Sequence, residues 1–281
     1  MARMTQTVPG EAQNGVPENA AHAVYALYRA FTRVFSIVLL LAAWEILARS
    51  GSFTHYQLPA FSEVVARIWS DAWSGDLWIN MALTLYRALT AFLICAVLGV
   101  LIGMAMSRNA IANWFFDPII SVGFPMPKIA FLPVVILWLG VYDVSKITII
   151  VVDAIFPVIA ATVIAIEGVE RELIWSARNM GASNRELLTQ VVLPAASPQI
   201  MTGLQVSLPL SLIVAVVAEM LMGGYGLGGA MMTASRFANS TGVFAGIVEI
   251  AVVGFCLVKA MALIRGRLLL WHPESNDPPT A

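Results

Sequence analysis

Long apolar segments separated by short polar stretches dominate the chain after residue 31. A helix needs about 20 mostly apolar residues to cross a bilayer, and six segments approach that length, some only with their flanks. They are about 32–48, 83–106, 119–141, 147–166, 203–222 and 243–264. The pattern therefore predicts an all-α membrane protein with six transmembrane helices within residues 31–268.

The third apolar segment is interrupted by proline. Each proline removes a backbone donor and clashes with the preceding turn. Such breaks at membrane depth are tolerated where protein or a water-filled cavity satisfies the freed backbone groups. We therefore expect residues 117–139 to face the interior of the bundle, and a kinked helix without a role in transport is the alternative. The prolines are Pro118, Pro125, Pro127 and Pro133.

Between the first two predicted spans, residues 58–78 carry apolar side chains at helical spacing on one face. Three tryptophans in this stretch suit the membrane–water interface. The pattern predicts an amphipathic helix lying on the membrane surface, and a contact surface for a partner protein is the alternative. The tryptophans are Trp69, Trp73 and Trp78.

Composition excludes several classes of protein. The chain is 59% hydrophobic and 12% charged, against about 25% charged in soluble globular domains. A soluble domain of this composition would expose too much apolar surface. The net charge of −1 offers no electrostatic basis for binding nucleic acid. Cys95 and Cys256 fall in predicted spans without metal-ligand spacing, so we expect no metal site.

The orientation follows from lysine and arginine in the short loops. Residues 1–30 and 269–281 are predicted to be polar tails. The first apolar run lies too far from the N-terminus for a cleaved signal peptide. With the N-terminus inside, the inner segments hold Arg3, Arg29, Arg33, Arg108, Arg171, Arg178, Arg185, Arg265 and Arg267. The outer segments hold Arg49, Arg67, Lys146 and Arg236. The asymmetry predicts cytoplasmic termini, a cytoplasmic loop at 167–200 and an outer helix at 58–78.

The cytoplasmic loop at 167–200 is a charged island with its own helix signals. Charged and apolar residues alternate over about three helical turns before Gly181, which can adopt the left-handed conformation that ends a helix. Ser183 can cap a following helix, and Glu186 would complete a capping box. Pro194 predicts a turn before the fifth span. The sequence thus predicts a rigid helix–Gly–helix knob, with a solvated surface loop as the alternative.

These residues carry a resemblance that covers nearly the whole chain after Leu58. The loop resembles the E-A-A-x3-G-x9-I-x-L-P motif of the permeases of binding-protein-dependent (type I) ABC importers. Other strings are similar to the nitrate/sulfonate/taurine-type branch, namely 132–140, Phe156-Pro157, Gly181-Ala182-Ser183, Ala218-Glu219-Met220 and 223–228. The chain departs from the motif at its start, where Trp175 and Ser176 stand for Glu and Ala. Glu172, nearly one turn earlier, is a candidate for the acidic contact.

The resemblance implies a permease subunit that passes a small solute, such as nitrate, a sulfonate or taurine, across the bacterial inner membrane. It implies a homodimer of permeases, two separate ATPase subunits, and a periplasmic or lipid-anchored substrate-binding protein. The chain itself would catalyse no reaction and bind no cofactor, because ATP and magnesium bind the ATPase. The residues implied in ATPase coupling are Glu172, Leu173, Trp175, Ser176, Ala177, Arg178, Gly181, Ala182, Ser183 and Pro194.

In this family the third and fifth spans line the central path, which makes Glu219 a candidate gate residue. Structural pairing of each intramembrane acid is the alternative. We expect Glu45 and Arg87 to extend from span ends to the interface, and Asp153 and Glu249 to pair within the bundle. The residues implied in the path or gate are Pro125, Pro127, Pro133, Glu219, Gly226 and Gly228.

The glycine run at 223–228 is not a phosphate-binding loop, because the chain has no Gly-x4-Gly-Lys-Ser/Thr string. We expect instead a tight re-entrant turn at an outer gate. A secondary transporter is the main alternative function, but only the third span is heavily broken and no second half matches it. An intramembrane enzyme is disfavoured because no histidine falls in a predicted span.

Overall fold

The computed structural model describes residues 35–269, and all the regular secondary structure in that range is helical. The chain divides into two compact units, Met1–Ser62 and Glu63–Ala281. The predicted tail at 1–30 lies outside the described residues, as does the predicted tail at 269–281 apart from Leu269.

The described part of the first unit begins with α1, residues 35–49, which is the described part of the first predicted span. Trp44 anchors the segment that follows, because its indole donates to the carbonyl oxygen of Pro59 at 3.0 Å and its ring packs against Phe61. The Glu45 carboxylate pairs with Arg49 at 2.6 Å and accepts hydrogen bonds from the backbone and hydroxyl of Ser62.

Helix α2, Phe61–Ser74, is shorter than the helix expected over 58–78. Gly75, with φ +92°, ends it, so Trp78 falls in the next helix. Trp69 and Trp73 are 72% and 85% exposed, as expected for an amphipathic helix at a membrane surface. On its polar side Arg67 donates to Asp71 at 2.8 Å, and that carboxylate raises the pKa of the guanidinium.

Three long helices, α3 (Asp76–Arg108), α6 (Asp143–Glu167) and α9 (Leu193–Met222), pack together as the centre of the second unit. Small residues allow this close approach, since a Cβ on Gly99 would lie 2.8 Å from Val158 and one on Gly203 would lie 2.4 Å from Ala161. The core around them includes Ala88, Ala91, Ile149, Ile150, Leu212 and Ala215.

The third predicted span, 119–141, is broken, as its prolines predict. Helix α4 begins earlier, at Ala110, and ends at Gly123, and it is bent by 95° from the helical segment Lys128–Leu139. That segment is a 3-10 turn, Lys128–Phe131, followed by α5, Leu132–Leu139. Pro125 and Pro127 lie in the break, where the missing donors favour non-helical backbone.

Within the single chain, only part of 117–139 is buried, and the expectation that all of it faces the bundle interior stays a prediction. Only Lys128, Leu132 and Val135 are buried there, while Leu137 and Trp138 are 82% and 76% exposed. A helix with apolar residues on every side buries one face against its own chain and leaves the others for lipid or another subunit.

The fifth predicted span begins well before residue 203, and the turn expected at Pro194 is absent. Helix α8 (Asn184–Glu186), a π-helical segment (Leu187–Val192) and α9 run on as one apolar helical stretch, Asn184–Met222. The π-helical segment explains why the expected turn is absent. Its wider turn directly precedes the proline, whose ring and missing N–H are incompatible with a regular α-helical turn.

The last elements are α7 (Arg171–Asn179), the short α10 (Leu227–Arg236) and α11 (Ser240–Leu268). Within the described residues, four helical stretches are long and apolar enough to cross a membrane, or five if the bent pair counts as one span. The structure therefore describes a multi-pass, all-helical membrane protein, and the sixth span and the cytoplasmic termini stay predictions.

Candidate functional site

Helix α7 in the 167–200 loop has the ends that the sequence predicts. Gly181 follows it with φ +85°. The backbone N–H of Ala182 donates to Ala177 and that of Gly181 donates to Arg178, at 3.1 and 2.9 Å. This is the bonding pattern of a Schellman motif, which satisfies the last carbonyls of a helix. The glycine therefore fixes where α7 stops and how the chain turns.

The second half of the knob is equally well defined, and the predicted capping box is confirmed. The Ser183 hydroxyl accepts from the backbone N–H of Glu186, and the Glu186 carboxylate accepts from the backbone N–H of Ser183 at 2.9 Å. Each side chain satisfies a backbone donor at the start of the next helix. Two capped helices joined by the short turn 180–183, which contains Gly181, make a rigid knob.

One side of α7 packs against the chain and the other is open. Ala177 is buried and Ile174 half-buried against a small core with Leu187 and Val192. Away from that core Leu173, Trp175 and Met180 are 46%, 58% and 79% exposed. Leu173 and Met180 share one face of the helix, and Trp175 lies on another. Large apolar side chains exposed on a short, otherwise charged helix favour a protein contact.

The remaining predicted coupling residues surround these exposed side chains or lie near them. Glu172, Ser176, Arg178 and Gly181 are exposed, as is Ser183, and Ala182 is half-buried. Pro194 is exposed as well, but it lies in the first turn of α9, about four helical turns from α7 along the chain. A shallow cavity of about 310 Å³ opens beside the knob and is lined by Ala177, Met180, Gly181, Ala182, Glu186, Gln190 and Val191.

The second predicted region centres on Glu219, near the end of α9. Its side chain is fully buried. Arg87 of α3 donates to one carboxylate oxygen at 2.5 Å, and the Thr84 hydroxyl contacts both oxygens, the nearer at 2.9 Å. The backbone N–H of Gly228 donates at 3.1 Å. These contacts fit structural pairing of Glu219, which is the alternative considered for each intramembrane acid.

The interfacial position expected for Arg87 is wrong. Its side chain is 5% exposed and binds Glu219, Asp143 of α6 at 2.8 Å and the carbonyl oxygen of Tyr225 at 2.7 Å. The reason is that two carboxylates and a carbonyl replace its hydration inside the bundle. One guanidinium thereby connects α3, α6, α9 and the turn after α9.

The glycine run at 223–228 forms the tight turn that the sequence predicts. The turn needs glycine because it passes close to the buried carboxylate of Glu219. A Cβ on Gly226 would lie 2.3 Å from the Glu219 carboxyl carbon, and one on Gly228 would lie 2.2 Å from the carbonyl oxygen of Val216. Two side chains of neighbouring helices hold the turn in place. Asn80 accepts from the backbone N–H of Gly226, and Lys146 donates to the carbonyl oxygen of Gly223, both at 2.8 Å.

The other residues predicted for the path do not take part in the contacts around Glu219. Pro125, Pro127 and Pro133 are exposed at the bend between α4 and α5. At that bend Asp153 of α6 pairs with Lys128 at 3.1 Å, which confirms pairing for this acid. Glu249 is different, since its Oε1 is buried and has no hydrogen-bond partner among the described residues.

Sequence reasoning missed Thr84, Asn80, Asp143 and Lys128 as members of these clusters. Thr84 and Lys128 carry one signal, a polar residue within a predicted apolar span, while Asn80 and Asp143 lie just outside the predicted spans. That signal marks the residue but not its partner. Lys146 is one of the four cations assigned to the outer segments, but its side chain is buried in α6 with 4% exposure. Its charge therefore does not belong in the comparison of inner and outer loops.

Residues 95–269 match the family described as binding-protein-dependent transport system inner membrane component. The chain is 30% identical to the taurine transport system permease protein TauC of Escherichia coli over 244 residues, covering 85% of this chain and 89% of that protein. It is 32% identical to the putative aliphatic sulfonates transport permease protein SsuC of Bacillus subtilis over 234 residues, covering 83% and 85%.

The fold is also similar to a solved structure. A chain of the MetNI methionine ABC transporter in inward-facing conformations matches with a TM-score of 0.50 and 20% sequence identity, covering 66% of this chain and 94% of that chain. At this identity the match bears on the helical arrangement alone.

Proposed function

The chain belongs to the binding-protein-dependent transport system inner membrane component family, in its nitrate/sulfonate/taurine-type branch, and from this premise we propose its place in an ATP-driven importer. It is an ABC transporter permease. In our proposal it forms the membrane path for a small sulfonate such as taurine, while a separate ATPase binds the 167–200 loop and supplies the energy.

One observation supports the coupling role above the others, namely α7 with its Schellman end and its exposed Leu173, Trp175 and Met180. A docking element must hold its shape while a partner pushes on it, and the two caps provide that rigidity. The chain has no phosphate-binding loop of its own. Nucleotide and magnesium accordingly bind the ATPase in this account.

The proposed mechanism uses the helical stretch Asn184–Met222 as the connection between the two clusters. Its first turns pack against α7, and its far end carries Glu219. If straight it would be roughly 60 Å long, at 1.5 Å per residue. A displacement of α7 by the ATPase would therefore reach the Glu219 network as a rigid-body movement, the kind of two-state switch that nucleotide binding can bias.

The proposed assembly has two copies of this chain, two ATPase subunits and a periplasmic or lipid-anchored substrate-binding protein. The proposed location is the bacterial inner membrane, with six spans and both termini in the cytoplasm. The substrate class follows from the relatives, whose names give taurine and aliphatic sulfonates as their solutes. Nitrate, which the branch also includes, is the second candidate.

The docking proposal is tested by measuring how tightly the ATPase binds the permease in detergent. Trp175→Asp replaces an exposed apolar side chain of α7 with a charge, and we expect about tenfold weaker binding. Trp73→Asp, on the more exposed tryptophan of α2, is the matched control and should leave the affinity unchanged. Equal affinity for both variants and the parent would remove α7 from the interface.

The proposed topology is tested by labelling single cysteines with a membrane-impermeant maleimide in a chain whose Cys95 and Cys256 are replaced by alanine. We expect Ser74→Cys, at the end of α2, to be labelled in intact spheroplasts. Ser176→Cys, in α7, should be labelled only after lysis. Both positions are exposed in the structure, so access depends on the side of the membrane. Labelling of Ser176→Cys in intact spheroplasts would contradict a cytoplasmic loop.

A further inference from the structure

A second charge cluster lies at the bend between α4 and α5, well away from Glu219 along the chain. The ammonium of Lys128 is 3.1 Å from a carboxylate oxygen of Asp153. It also donates to the carbonyl oxygen of Phe124 at 3.2 Å and lies 4.7 Å from the ring centre of Phe156. Lys128 is thus held by a carboxylate, a backbone dipole and an aromatic face.

The position of this pair is what distinguishes it. Asp153 lies near the middle of the 25-residue helix α6, far from both ends, and so at mid-depth of a membrane-spanning segment. Lys128 begins the helical segment that follows the 95° break. Secondary transporters place polar solute contacts at broken helices near the membrane midplane, which shows that such a break can hold a solute. Ionisable groups at that depth are costly and are kept chiefly for function.

The two ion-pair clusters differ in which partners are exposed. Arg87 and Glu219 are 5% and 0% exposed, while Asp143, the second carboxylate partner of Arg87, is 47% exposed. The side chains of Lys128 and Asp153 are 10% and 17% exposed, so both members of that pair keep some surface at the bend. That pair presents one positive and one negative group side by side.

We propose that Lys128 and Asp153 form a contact site for the head groups of a zwitterionic solute. The sulfonate of an aminosulfonate would accept hydrogen bonds from the Lys128 ammonium, and the solute ammonium would donate to Asp153. Each solute group replaces part of the contact between the two side chains, so no charge is left uncompensated. The inference rests on the proposed function and adds the residues that recognise the solute.

The test measures binding of radiolabelled taurine and of ethanesulfonate, which lacks the ammonium, to the complex of this permease with its ATPase. Equilibrium dialysis in detergent without the substrate-binding protein isolates the permease site. The double variant K128M/D153N removes both charges together, which avoids an unpaired buried charge. K259M is the matched control, because Lys259 also lies over an aromatic ring, that of Phe255, in a long apolar helix.

We expect the parent and K259M to bind taurine at least about tenfold more tightly than ethanesulfonate, because the carboxylate adds a charge-assisted hydrogen bond. K128M/D153N should lose that preference. D153N alone should bring the two affinities together, a result that a purely structural ion pair does not predict.

Equal taurine binding by the parent and K128M/D153N would overturn the inference, and so would a parent that binds neither compound. If K128M/D153N does not fold, D153N decides, since an unchanged preference for taurine in that variant also overturns it. A different result would show that the proposed function, and not the contact site, is wrong. In that case the parent binds taurine with this preference but does not accumulate it in an ATP-dependent manner.

Discussion

Arg87→Met is expected to lower the free energy of unfolding by about 3–5 kcal/mol, the usual effect of removing one partner of a buried ion pair. Among the described residues, the substitution leaves the buried carboxylate of Glu219 with Thr84 and the backbone of Gly228 as its partners. It also releases Asp143 and the turn at Tyr225. Thermal unfolding of the purified permease in detergent measures the loss.

The matched control is Arg67→Met, which removes an arginine–carboxylate pair at the surface of α2. Its guanidinium is 45% exposed, so the expected cost is about 1 kcal/mol or less. Arg87→Met/Glu219→Gln should recover part of the loss, because it no longer buries an unpaired charge. If Arg87→Met and Arg67→Met melt at the same temperature, the buried network does not stabilise the fold.

Gly181→Val is expected to separate ATP hydrolysis from transport. A β-branched residue is strained at φ +85° even though the space around the glycine is open, so α7 would lose its Schellman end without a steric clash. With the knob loosened, movement of the ATPase should no longer reach α9. We expect uptake per ATP hydrolysed to fall by about tenfold, measured in vesicles that contain the complete transporter.

Gly75→Val is the matched control, because Gly75 has φ +92° and equally open space but lies between α2 and α3. It should carry a similar backbone strain and keep its coupling ratio. A Gly181→Val transporter that couples like the parent would show that the shape of the knob is not what transmits the movement.

The local features of the fold could be predicted from the sequence because they depend on neighbouring residues. The end of α7 needs only a glycine after an amphipathic run, and the capping box needs only Ser183 and Glu186 three residues apart. The long apolar helices follow from composition over a window of about 20 residues. In each case the cause and the effect lie within a few turns of the same helix.

The partners of the buried charges could not be predicted, because they are set by packing between distant helices. Arg87 and Glu219 are 132 residues apart, and periodicity says only that each is costly in a membrane. Pro194 shows the same limit for backbone, since a proline usually marks a turn but here follows a π-helical segment inside one helical stretch. In both cases, packing with the rest of the folded chain determines the structure.

The most direct test of the central claim is uptake of radiolabelled taurine into vesicles containing this permease, its ATPase and its substrate-binding protein. We predict accumulation that requires ATP and all three components, and that stops when ATP is replaced by a non-hydrolysable analogue. The competing function, a secondary transporter, predicts uptake by the permease alone when a proton or sodium gradient is imposed. Gradient-driven uptake without ATP or the ATPase would contradict the account.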